Sequence, residues 1–308
     1  MVSQITRISK AHGDSIWCVV WAGNGSDNEN EFVTGSVDGT VKIWTIAALG
    51  NPEKEKVSCT ETFSEQSMGI ISVATSDKSP YLVTSSMDSH LRIWDLQKRE
   101  FIKSIDCGAI ECWTLAFHPS GEKVATGTHT GAVNVWSVEE KSAGELITTL
   151  ETKGGFALSL AYNSTGTMLA VGDKDGNVYI FEHERLVHTL QAHAMAIRSL
   201  CFSVDDSMLL TASDDTTVNI YDAQSKDQIG TVKGHSSWVM SVACSPDGKY
   251  FATASSDKRV RIWDLKQRSC LQTFESHTDQ VFMVAFNRQG NRLVSVGGEG
   301  DIQLYSVT

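Results

Sequence analysis

Apolar and polar residues alternate along most of this chain in short runs, and the runs recur. Between Gly234 and Leu265 three stand in succession: Trp238 to Cys244, Tyr250 to Ser255 and Val260 to Trp263. Period-two alternation rich in β-branched and aromatic residues predicts half-buried strands. The breaks carry turn chemistry. Ser245-Pro246-Asp247-Gly248 places Pro where φ is already fixed and Gly where φ can be positive, and Ser256-Asp257-Lys258 predicts a tight hairpin. One such unit is a small antiparallel meander with two apolar faces. It cannot bury both alone, so it needs neighbours of its own kind.

The chain supplies them. An aromatic residue closes each unit, six residues after a hairpin position: Trp44 after Asp38, Trp94 after Asp88, Trp136 after Thr130, Phe181 after Asp175, Tyr221 after Asp215, Trp263 after Asp257 and Tyr305 after Glu299. The intervals between these aromatics run from 40 to 50 residues, and three of them are 42. Seven units of this period predict an all-β, seven-bladed propeller with four antiparallel strands per blade. A chain of 308 residues would otherwise suggest two domains, but a ring of small sheets runs this long as one, so residues 1–308 are expected to form a single propeller domain.

The unit openings are less regular. Ala11-His12, Ala192-His193, Gly234-His235 and Ser276-His277 open four units, whereas Gln66, Gly108 and Lys153 hold that place in units two, three and four. The polar segments 23–31 and 49–57 are expected to be mobile surface loops. The last unit stops after its third strand, at Tyr305, while QITRIS at residues 4–9 aligns with the fourth strands that precede other His turns. Residues 4–9 are therefore expected to be the outermost strand of the last blade, closing the ring by main-chain pairing.

Composition excludes several classes. A formal charge of −11 argues against a nucleic-acid surface, which needs clustered Lys and Arg. No apolar run approaches a membrane span, and MVSQITRISK lacks the apolar stretch of a signal peptide. Seven scattered cysteines without a C-x-x-C point to a reducing compartment. No catalytic, cofactor-binding or metal-binding set emerges. His183-Glu184 with His188 resembles a zinc-protease motif, but the second His comes five residues on and the stretch lies between strands. Asp205-Asp206 and Asp214-Asp215 read as turn acids. Asn24-Gly25-Ser26 and Asn163-Ser164-Thr165 match the glycosylation sequon and, without a secretory signal, read as silent.

Together the His openings, hairpin Asp residues, Trp-Asp endings and seven-fold period resemble the WD-repeat propeller family over essentially the whole chain. In that family a His, a strand Ser or Thr, the hairpin Asp and the Trp form a hydrogen-bonded set. The resemblance implies such sets at His235, Thr253 or Ser255, Asp257 and Trp263, and at His193, Thr211 or Ser213, and Asp215, with Tyr221 in place of Trp. Units two, three, four and seven depart from the pattern. Residues 103–136, 191–215 and 293–305 further resemble the WD-repeat subunits of superkiller complexes, which in animals are also attached to the polymerase-associated factor complex. That resemblance implies a non-catalytic scaffold without cofactor, a monomeric propeller within a hetero-complex of cytoplasm and nucleus. Its implied partners are the helical-repeat scaffold and RNA helicase of the superkiller complex and the polymerase-associated factor complex, with no direct contact to nucleic acid or membrane. The alternative is a substrate receptor of a cullin-type ubiquitin ligase. The Trp-Asp-x-Arg signal of that use is missing, since Leu96-Gln97 follows Trp94-Asp95 and Leu265-Lys266 follows Trp263-Asp264.

One positional pattern points to an interface. Five residues after each His place, at the start of the innermost strand, stand Trp17, Ile71, Trp113, Leu158, Arg198, Met240 and Phe282. Two residues earlier in their units stand Phe156 and Trp238. This end of the inner strand rims one mouth of the central channel. Any one of these residues could be core, yet aromatics, Met and Arg recurring around one rim have the composition of a binding hot spot. Trp17, Trp113, Phe156, Arg198, Trp238, Met240 and Phe282 are the candidate protein-binding residues, with His129 beside a hairpin.

Overall fold

The computed structural model describes residues 2–23, 30–48, 55–109 and 111–307. Residues 24–29 and 49–54 of the two expected mobile loops, and with them the sequon at Asn24, lie outside the described residues, while Glu31 and residues 55–57 stand in strands rather than loops. Among those residues 28 strands form seven four-stranded sheets, and there is no helix. Each sheet is one antiparallel blade of a propeller. Blade 6 runs outward from Val239–Cys244 through Tyr250–Ser255 and Val260–Asp264 to Cys270–Phe274. Its turns follow the sequence chemistry, with Gly248 at φ 68° and Lys258 at φ 71°.

The inner strands are Ile16–Trp21, Ile70–Thr75, Thr114–Phe117, Ala157–Tyr162, Ile197–Phe202, Val239–Cys244 and Val281–Phe286. Each contacts the inner strand of the blade on either side, so the seven close a ring. The core lies between blades rather than within them. Val260 and Ile262 of blade 6 pack with Val281, Val284, Leu293 and Tyr305 of blade 7. Val294, Ile302 and Leu304 of blade 7 pack with Ile16, Val19, Phe32 and Trp44 of blade 1. An apolar cluster of this kind occupies every blade interface.

Blade 7 is completed by the other end of the chain. Its outer strand is Val2–Ile8, paired from Val2↔Val307 to Ile8↔Ile302 on the third strand, Ile302–Val307. The strand begins two residues before the expected 4–9 because Val2 and Ser3 still find partners. It ends at Ile8, one residue early, where the chain turns away. Lys10 takes φ 54° and donates its N–H to the Asp301 carboxylate at 2.8 Å.

Removing residues 1–9 strips the outer strand from blade 7 and uncovers a strand edge at the seam. The truncated protein is expected to melt several degrees lower, as a whole, and to aggregate. Unchanged melting and light scattering would show that the ring does not depend on this closure.

Candidate functional site: a channel rim on a hydrogen-bonded frame

The rim is held from behind by polar groups buried inside the blades. In blade 6, His235 Nδ1 lies 2.8 Å from Asp257 and Nε2 lies 2.7 Å from Thr253 Oγ1, which also accepts the Trp263 indole N–H at 2.9 Å. Thr253, not Ser255, is therefore the strand member of the set. Ser255 instead donates to the Ser237 carbonyl and accepts the Asp257 N–H. Blade 1 repeats the arrangement with His12, Asp38, Thr34 and Trp44. Blade 5 keeps His193, Asp215 and Thr211, both contacts at 2.8 Å, but the Tyr221 hydroxyl reaches the Ala192 carbonyl.

Blade 7 corrects the expectation that it departs. His277 lies 2.6 Å from Glu299 and 2.7 Å from Ser295, whose hydroxyl also meets that of Tyr305 at 3.1 Å. The longer Glu fits because Gly297 stands beside it: a Cβ there would come within 2.8 Å of its carboxylate. Blades 2 to 4 do depart. Gln66 replaces the His at 3.4 Å from Thr84, and Asp88 is taken by Arg92 at 2.7 Å. Trp136 bonds Thr126 with no His behind it, and Val171 replaces the hydroxyl in blade 4.

Charge inside the frame is settled by burial and by these bonds. Burial pushes the His12 pKa down to about 4, against the pull of Asp38. Burial also opposes ionisation of Asp257. The His235 ring and the N–H groups of Ser236 and Arg259 outweigh it and hold that carboxyl at about 2.

In blades 1, 5, 6 and 7 the frame fixes the loop before the inner strand, and the inner strand then does something alternation does not announce. Its first residue is fully buried in six blades: Ile16, Ile70, Ala157, Ile197, Val239 and Val281 are all 0% exposed. Directly after it the register slips by one, as where Ile16↔Ser36 is followed by Cys18↔Gly35. Trp17, Ile71, Leu158, Arg198, Met240 and Phe282 are the unpaired bulge residues. A bulge re-aims its side chain, and here the aim is the channel. Trp113 reaches the same place without a bulge, just before its strand, its N–H on the Gly127 carbonyl.

These seven residues and Trp238 line the central channel, a cavity of about 900 Å³. They meet in pairs across blade boundaries. Trp17 and Phe282 are 6.3 Å apart, and Trp113 meets Phe156 edge-on at 5.2 Å. The Arg198 guanidinium lies over Trp238 at 5.4 Å, while Trp238 is 45% exposed. His129, also exposed, sits 3.1 Å from Glu111. Arg198 is not a free charge. Buried Asp214 grips it with Nε at 2.9 Å and Nη2 at 2.8 Å, so what it offers is a rigid, neutralised platform. The acid pair thus divides its work, Asp214 holding the rim and Asp215 the frame.

The remaining acids and histidines stay apart. His183 and Glu184 form a tight hairpin with φ of 48° and 64°, and His188 is exposed on the following strand. Asp206 clasps blade 4 through the Ser164 N–H and hydroxyl. Asn163 is buried with its amide shared between Thr165, Thr167 and Asp206. Among the described residues no group of His, Cys, Asp and Glu is placed to hold a metal ion.

Comparison with known proteins gives the same repeat. The family model described as "WD domain, G-beta repeat" matches residues 3–45, 57–95, 100–137, 144–182, 184–222, 226–264 and 268–306. Each match takes in the outer strand of one blade and the first three of the next. The chain is 34% identical over 207 residues to WD repeat-containing protein SL1-17 of Schistosoma mansoni and 35% over 222 to WD repeat-containing protein VIP3 of Arabidopsis thaliana. Both alignments cover 67% of this chain and 66% of the relative. Meiotic recombination protein rec14 of Schizosaccharomyces pombe is 29% identical over 184 residues, 58% of either chain. The chain thus spans just under two thirds of the length of the first two relatives and 58% of the third.

Two outcomes test the frame. Asp257→Ala leaves His235 Nδ1 and the N–H groups of Ser236 and Arg259 without a partner and is expected to cost about 1–3 kcal/mol. Asp227→Ala, in an exposed turn, is expected to change stability by less than about 0.5 kcal/mol. Equal denaturation midpoints would mean that the set in blade 6 contributes nothing. The pH dependence has a definite sign. With its folded pKa lowered from 6.5 to about 4, His12 takes up its proton more readily unfolded, so stability falls as pH drops through that window. Asp38 and Asp257, lowered from 3.8 to about 2, continue the loss from pH 4 downward. Melting temperature against pH should flatten between 6.5 and 4 in His12→Gln, a residue that blade 2 already accommodates. An identical profile in the variant would remove His12 as the cause.

Proposed function

The chain belongs to the WD domain, G-beta repeat family, and from that membership and the rim geometry we propose a non-catalytic scaffold that grips other proteins at one mouth of its channel. The observation that carries the reading is the ring of bulge residues. Six inner strands turn a bulge residue toward the open channel, and aromatics at that mouth already meet across blade boundaries before any partner arrives, Trp17 with Phe282 and Trp113 with Phe156. Preorganised aromatics lose little conformational freedom on binding, so more of the contact energy appears as affinity. The net charge of −11 favours protein partners over nucleic acid.

Within that reading the partners are subunits of the superkiller complex, its helical-repeat scaffold and its RNA helicase, and the polymerase-associated factor complex. Support comes from the resemblance carried by residues 103–136, 191–215 and 293–305. The locations that follow are cytoplasm and nucleus.

Trp113→Ala and Trp238→Ala separate this reading from a packing role. Loss of an interface indole is expected to weaken capture of partner subunits by roughly 30-fold, about 2 kcal/mol, with native melting. If either ring were structural, its removal would instead cost about 3–5 kcal/mol of stability. Native melting together with undiminished capture from cell extract would move the interface elsewhere on the disc.

A further inference from the structure

In six blades one buried apolar residue stands just past the frame aromatic, and in five of them it plugs the interface with the preceding blade. The N–H of this residue bonds a carbonyl in the turn before the second strand: Ile46 to Asn30, Leu96 to Pro80, Val138 to Glu122, Ala223 to Ser207, Leu265 to Lys249 and Val307 to Asn291. All six are at most 7% exposed. Blade 4 keeps the bond, from His183 to Thr167, but the side chain there is polar and exposed. Turn length is the cause. In blades 2, 5 and 6 four residues stand between the last bonded partners of the third and outer strands (Asp95 and Glu100, Asp222 and Asp227, Asp264 and Ser269), and the fourth takes positive φ: Arg99, Lys226 and Arg268. Blade 4 has just His183 and Glu184 between the paired residues Glu182 and Arg185. The two-residue turn holds position 183 at φ 48° and leaves the plug's place empty.

A pocket of about 320 Å³ lies there, between blades 3 and 4. Val135, Leu150, Leu169 and Phe181 give it apolar walls. His118 and Tyr162, edge-on at 5.0 Å, close one side. His118 is a fixed wall, its Nδ1 engaged by Ser120 and its Nε2 by the Gly166 carbonyl at 3.2 Å. Burial pushes its pKa down, so it stays neutral. Lys123 and Glu184 also line the pocket, opposite charges 4.0 Å apart, the first half-buried and the second exposed. So long and solvated an ion pair is weakly held.

We propose that this pocket binds a small zwitterion with an apolar body of aromatic-ring size, the chemical class of the free aromatic amino acids. The ring takes the place that Leu96 or Leu265 fills in its own blade. The carboxylate meets Lys123 and the ammonium meets Glu184, so one loose ion pair is exchanged for two charge-assisted contacts. The volume lies at the small end of ligand sites, too small for a nucleotide.

The test uses the full chain and three probes: L-phenylalanine, 3-phenylpropionate without the ammonium, and 2-phenylethylamine without the carboxylate. Titration followed by NMR is expected to show saturable millimolar binding of L-phenylalanine, with shifts at Lys123, Tyr162 and Phe181. Each truncated probe should bind roughly tenfold more weakly. Lys123→Met and Glu184→Gln should weaken L-phenylalanine by a similar factor with unchanged melting. Replacing His183-Glu184 by the Leu-Lys-Gln-Arg turn of residues 265–268 should abolish binding and raise the melting temperature. No saturable binding of any probe, or binding that survives the turn replacement, overturns the site. Equal affinity for L-phenylalanine and 3-phenylpropionate overturns the zwitterion. Should the turn variant fail to fold, the Lys123 and Glu184 variants decide alone, and wild-type affinity in both overturns the proposal.

Discussion

A four-stranded sheet that is apolar on both faces has no stable existence in water on its own. Everything else in this protein follows from that constraint. Each face is buried only against the next blade, so the core is divided among the blade interfaces and stability is cooperative around a ring. Closure by Val2–Ile8 on Ile302–Val307 completes the last blade's four strands, just as the other blades complete theirs. The same constraint explains why the buried polar sets can vary. Blades 3 and 4 lack the His and still pack, because Val135, Leu160, Leu169 and Phe181 bury their shared faces without it.

Where the polar set is present it fixes the geometry of one mouth. A His held between a carboxylate and a hydroxyl pins the loop before the inner strand to the hairpin beyond the second. The strand then starts from a fixed point, and the bulge after its first residue sends the next side chain toward the channel. Rim, bulge and frame are thus one device in blades 1, 5, 6 and 7, with different side chains installed at each station. Arg198 shows how far the installation goes: its charge is neutralised by a buried Asp214 before any partner is present.

Much of this was legible in the chain, for reasons that can be named. The six-residue step from hairpin acid to frame aromatic survives because both ends are hydrogen-bonded or packed, so Trp263 and Asp257 marked their blade. Thr253 and Ser255 were inseparable, since residues two apart in a strand share a face. Blade 7 was misread because Glu299, Ser295 and Tyr305 look like losses of the pattern although they keep its hydrogen-bonding capacity. The bulges left no mark: a bulge residue between buried neighbours imitates ordinary alternation. The missing plug did leave a trace, in the 40-residue interval from Phe181 to Tyr221. Its two-residue deficit from 42 is the shortened turn at His183, but only the structure shows what that turn fails to fill.

The central claim is that the channel rim, and not the disc edge, is the working surface. Hydrogen–deuterium exchange of the protein alone and within its native complex tests it most directly. The account predicts new protection in the loops and first turns of the inner strands, around Trp17, Trp113, Arg198, Trp238 and Phe282, with the outer strands unchanged. Protection confined to outer strands such as Glu100–Asp106 and Leu146–Leu150, with the rim exchanging as in the free protein, would contradict it.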